Sequence, residues 1–94
     1  MYNLADAYES LGRDHEHRVM REKTIGLFRR VLPDNHPLTA TACFKIGASY
    51  CDAGDLQRAM EYASEAVRMF QATSHPCVEN ARYLVSRIKD ISLL

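Results

Sequence analysis

Four histidines, three cysteines and twelve carboxylates are the side chains of this 94-residue chain that could do chemistry. His15 and His17 flank Glu16 and invite a metal site, since imidazole and carboxylate both bind zinc. Side chains two apart on a helix point away from each other, so the pair cannot close on one ion. No cysteine or third histidine stands at ligand spacing beside them. His36 and His75 each precede a proline; a place just outside a helix start explains both, and catalysis explains neither. Cys43 and Cys51 lie eight apart on different stripes of one expected helix and read as small core or groove residues. Cys77 sits near a helix start, where a thiolate is favoured, but no CxxC or resolving partner supports a redox role. The acid pairs Asp6 with Glu9 and Glu61 with Glu65 fall on solvated helix faces. Arg18–Glu22 and Glu65–Arg68 have ion-pair spacings worth a few tenths of a kcal/mol. There is no glycine-rich phosphate loop, no nucleophile with a placed base and no zinc signature. The expectation is no enzyme, no cofactor and no metal.

The elements that carry these residues come next. Twelve basic and twelve acidic side chains cancel, and the sequence pI is about 6.9. That leaves no electrostatic footprint for nucleic acid or an anionic membrane. The first residues lack the basic and apolar regions of a signal peptide, and no apolar run approaches the roughly 18 residues a membrane span needs. Three cysteines without framework spacing favour free thiols in a reducing compartment. A cytoplasmic location is expected.

The chain repeats itself. Leu4, Tyr8 and Gly12 recur as Ile46, Tyr50 and Gly54, a spacing of 42, and Thr24, Ile25, Leu27 and Phe28 recur as Ala66, Val67, Met69 and Phe70. The register then shifts to 39: Asn35-His36-Pro37 matches Ser74-His75-Pro76, and Ala42, Phe44 and Ile46 match Ala81, Tyr83 and Val85. The shortening falls between Phe70 and His75, in a loop, where it does not rotate a helix. Within each unit the apolar period is helical. Gly12 and Gly54 suit helix ends, Asp14 and Asp55 are candidate N-caps, and Pro37 and Pro76 suit first turns. Five helices are predicted, at about 1–11, 15–32, 37–53, 55–72 and 76–91, with no strand. The fold class is all-α.

The third predicted helix has two stripes. Cys43, Ile46, Gly47 and Tyr50 form one; Thr41, Phe44, Lys45, Ala48, Cys51 and Asp52 form the other. Its glycine faces the small residues Ala59, Ala63 and Ala66 of the next helix, which predicts a close antiparallel pair of the kind that stacks into a solenoid. Ile46-Gly47, Tyr50, Gly54, Leu56, Ala59, Ala63 and Ala66 stand in the order and spacing of the tetratricopeptide repeat, which the chain resembles over nearly its whole length. The 42-residue unit and the two His-Pro turns resemble the kinesin-light-chain type of that repeat. The resemblance implies two repeats, 1–36 (truncated at its start) and 37–75, and a capping helix, 76–94. His17 and Arg21 replace small residues of the family, so the first hairpin should pack less closely. Val78, Ala81, Leu84, Ile88 and Ile91 can pack back on helix 55–72. The polar stripe Arg82, Val85, Ser86 and Lys89 then ends the array.

In such a stack the first helix of each hairpin lines a concave groove. The resemblance therefore implies a lining of Tyr2, Asn3, Asp6 and Glu9, then Thr41, Phe44, Lys45, Ala48, Cys51 and Asp52, then Asn80, Tyr83 and Arg87. Tyr2, Phe44 and Tyr83 repeat an aromatic at one place, suited either to anchoring a ligand or to packing between helices. The Lys and Asn set that clamps a chaperone's terminal carboxylate in some family members is absent. The expected function is a non-catalytic scaffold binding a peptide or helix of a partner protein. The alternatives are self-association through the uncovered first repeat, giving a homo-oligomer, or a piece of a longer array.

Overall fold

The computed structural model describes the backbone of residues 4–93 and the side chains of residues 16–93. The described residues form four helices and no strand: α1 Leu4–Val31, α2 Pro37–Ala53, α3 Leu56–Ala72 and α4 Val78–Ser92. Each helix packs on the next, and α4 also reaches α2, in a stack of 43 × 33 × 22 Å. The all-α, solenoid-like architecture expected from the helical period is the one formed.

The punctuation works locally. Gly54 takes the left-handed backbone (φ 86°) that ends α2, and a side chain there would be strained. Its N–H donates to the Cys51 carbonyl and that of Asp55 to the Tyr50 carbonyl, closing the last turn. Asp55 is the N-cap of α3: its Oδ1 accepts from the Arg58 N–H at 3.2 Å, a cap worth about 1 kcal/mol. The two His-Pro turns share their backbone geometry but differ at the helix start: Pro37 opens α2 as expected, whereas Pro76 stays in the turn and α4 begins only at Val78. Asn35 (φ 62°) and Ser74 (φ 53°) precede them in left-handed backbone. His36 Nδ1 accepts from the Leu38 N–H and His75 Nδ1 from the Cys77 N–H, both at 3.1 Å. Both histidines thus hold turns beside helix starts, and His75 also rests against the Phe70 ring, 4.9 Å between centroids.

The core sits between α2 and α3. Cys43, Ile46, Gly47 and Tyr50 are buried, as are Ala59, Ala63 and Ala66 opposite them. Ala81, Leu84 and Ile88 of α4 are buried too, and Val78 packs half-buried beside them, while Ile91, expected on the same face, is exposed in the last turn. The predicted polar stripe of α4 faces outward: Arg82, Ser86 and Lys89 are exposed and Val85 half-buried.

The first unit departs from expectation. Where a turn is predicted around residues 12–14, the backbone stays helical and α1 runs unbroken from Leu4 to Val31. A turn is favoured only if it lets two helices bury faces against each other. In the second unit that return comes from Ala59 and Ala63 closing over Gly47; their counterparts here are His17, exposed, and Arg21, half-buried. Glycine inside a helix costs only about 1 kcal/mol, less than the burial that would be needed to turn the chain. Asp14, the predicted N-cap, has its side chain outside the described residues.

Candidate functional site

The predicted groove divides into three parts. Tyr2 and Asn3 lie outside the described residues, as do the side chains of Asp6 and Glu9. On α2, Thr41, Phe44 and Ala48 are half-buried, while Lys45 and Asp52 are exposed. Cys51 differs: it is 8 % exposed and belongs to the core, so among the described lining residues it is the least accessible. On α4, Asn80, Tyr83 and Arg87 are all exposed, Tyr83 at 67 %. Of the repeated aromatics, Phe44 packs against the core with one side and Tyr83 stands free of it.

Two clefts flank α2. One, of about 330 Å³, brings Lys45, Ala48 and Asp52 together with Arg18 and Arg21 of α1 and with Ser49. Sequence reasoning missed the two arginines because it placed only the first helix of each hairpin at the groove. The other, of about 370 Å³, lies between the end of α1, the following loop and α3. Three of its charged side chains are paired: Glu65 with Arg29 at 3.8 Å and with Arg68, which donates to Asn35 Oδ1 at 3.5 Å. That cleft is a clasp between loop and helix.

Beside the first cleft is a polar cluster tying three helices together. The Tyr50 and Tyr62 hydroxyls both donate to the Glu22 carboxylate, Tyr62 at 3.4 Å. Their rings stack with centroids 5.9 Å apart. Arg58 donates to the Tyr50 hydroxyl at 3.4 Å, and Arg18 donates to Ser49 Oγ at 3.2 Å with its guanidinium 5.3 Å from the Tyr50 ring centre. The spacing of Arg18 and Glu22 suggests an ion pair along α1; both instead reach across to α2. Only the fold shows this, because helical spacing says which residues share a face but not what stands opposite.

The cluster has a titration signature. Burial, then the hydrogen bond with Glu22, hold the Tyr50 phenol above the ordinary value of 10.0. Burial, then the Glu22 charge, do the same for Tyr62. An unfolded chain releases these protons from about pH 10 upward while the folded chain keeps them. The contribution is therefore complete below pH 10.0 and is lost as pH rises through the folded values. Urea denaturation on either side of pH 10.0 should show this loss, and Tyr50→Phe should flatten the decline.

Burial raises the Cys43 thiol above its ordinary value, which keeps it a neutral core residue. Among the described residues no three His, Cys, Asp or Glu side chains are grouped to hold a metal ion, and no helix is long and apolar enough to cross a membrane.

A family model described as tetratricopeptide repeat matches residues 1–72. No curated protein and no solved structure matches the chain.

Proposed function

The chain belongs to the tetratricopeptide-repeat family, whose repeats generally mediate protein–protein interaction, and from that premise we propose that it is a non-catalytic scaffold holding a peptide or helix of a partner protein. The groove has Thr41, Phe44, Lys45, Ala48 and Asp52 on α2 and Asn80, Tyr83 and Arg87 on α4. The observation that carries this reading is the division of α2. One stripe is consumed by the core, and the other keeps an aromatic, a cation and an anion at its surface. That mixture suits a partner with both apolar and polar side chains. The 42-residue unit and the paired His-Pro turns favour the kinesin-light-chain type of repeat. Residues 1–36, 37–75 and 76–94 are then two repeats and a cap, acting in the cytoplasm without cofactor.

Phe44 is the expected anchor. Its ring is half-buried, so it is held by the core on one side and offered on the other. Against a peptide selected from a random display library, Phe44→Ala should weaken binding by about 1 kcal/mol or more, as anchors do, with helix content unchanged. Isothermal titration of parent and variant measures this. Equal affinity in a folded variant would remove Phe44 from the groove.

A further inference from the structure

The side of α1 that does not meet α2 is uncovered among the described residues. Met20, Leu27 and Val31 stand on it at i, i+7 and i+11 and are 66, 54 and 65 % exposed, with His17 and Thr24 exposed beside them. Three large apolar side chains in a row on one helix face mark an interaction surface.

The chain's own second unit shows what such a face accepts. Forty-two residues on, His17, Met20, Arg21 and Thr24 become Ala59, Tyr62, Ala63 and Ala66. Those residues meet α2: Tyr62 stacks on Tyr50, and the Ala59 and Ala63 backbone closes over Gly47. The α2 residues Ile46 and Tyr50 correspond to Leu4 and Tyr8 in the first unit. Residues 4–11 are thus the segment whose sequence matches the uncovered face. They cannot reach it in their own chain while α1 is one helix, because at 1.5 Å per residue their centre lies about 19 Å along the axis from Met20.

Charge points the same way. The cleft between α1 and α2 sets Arg18, Arg21 and Lys45 against the single carboxylate of Asp52, and Arg21 and Lys45 are the cations a docked segment would approach. Residues 1–11 include Asp6 and Glu9 and no Lys or Arg.

We propose that residues 4–11 of one copy dock on the Met20 face of a second copy, and the reverse, making a two-fold dimer by exchange of helical segments. The exchange opens at residues 12–14: a tight turn there would force the close approach that His17 and Arg21 obstruct, so α1 continues instead, while a segment from a second copy can lie at the wider spacing those side chains allow. Lys45 and Asp52 border both the docked segment and the peptide groove, but the dimer does not depend on the groove being occupied.

Sedimentation equilibrium of the full chain tests this. The mass should rise from monomer to dimer with concentration. Met20→Asp should weaken the dimer about tenfold or more by placing a charge in the contact, and so should Tyr8→Asp on the docking segment, with helix content retained in both. Mixed, these two variants still offer one intact segment and one intact face, so association should partly return. A monomer at every concentration, a dimer indifferent to Met20→Asp, or no return on mixing would each overturn the exchange. Should Met20→Asp fail to fold, Arg21→Glu replaces it, and its loss should be reversed by Asp6→Arg. Phe44→Ala, which probes the groove, should leave the mass unchanged, so the two readings fail separately.

Discussion

Phe70→Ala is expected to lower the folding stability of this chain by about 3–5 kcal/mol, as truncation of a buried aromatic does when the surrounding core cannot collapse. Phe70 is 1 % exposed and is, among the described residues, the largest fully buried side chain. It lies in the last turn of α3, in the core that joins α2, α3 and α4. Its ring also supports His75, whose Nδ1 caps the turn into α4. Removing the ring therefore opens a cavity and loosens the anchor of the last helix together. Against a domain stability of about 5–15 kcal/mol the loss is a large fraction of the whole. Chemical denaturation of parent and variant measures it. Tyr83→Ala serves as the comparison: that ring is 67 % exposed, and its loss should stay within about 0.5 kcal/mol.

Gly47→Leu should cost about 1–3 kcal/mol although leucine favours helix far more than glycine does. A Cβ at position 47 would stand 3.1 Å from the Ala63 backbone nitrogen and 3.4 Å from the Ala59 carbonyl oxygen. Both are backbone atoms of α3, so they give way only if the whole helix moves off α2. A leucine forces that movement, and the buried faces of Cys43, Ile46, Ala59 and Ala63 separate with it. Gly26 is the opposite case. It lies inside α1 with nothing within 4 Å of an added Cβ, so Gly26→Ala should raise stability by about 0.5–1 kcal/mol through helix propensity alone. Opposite signs at two helical glycines distinguish close packing from propensity in a single thermal-melt series.

Much of the second unit is legible in the order of its residues. Gly54, Asp55, His36 and Pro37 act through their own backbone neighbourhood, so residue type and order suffice to place them. The buried stripe of α2 is legible for a related reason, since helical spacing puts Cys43, Ile46, Gly47 and Tyr50 on one side whatever the helix packs against. Partners across helices are not. Glu22 accepts from Tyr50 and Tyr62, 28 and 40 residues away, and nothing in its local sequence distinguishes it from a solvated acid. Cys51 has the spacing of a surface stripe yet is buried, because burial at a stripe's edge depends on how neighbouring helices lean. The continuity of α1 is illegible for an energetic reason. The glycine and aspartate that permit a turn are present, while the small residues that would reward it are replaced by His17 and Arg21. A permitted turn forms only when the contacts beyond it repay it.

Peptide recognition by the face shared between α2 and α4 is tested most directly by residue-resolved amide shifts on titrating a library-selected peptide into the labelled chain. The shifts should concentrate in residues 41–52 of α2 and 80–87 of α4, with Phe44 and Tyr83 among the largest. Shifts confined to the outer faces of α1 and α3, with residues 41–52 undisturbed, would contradict the groove.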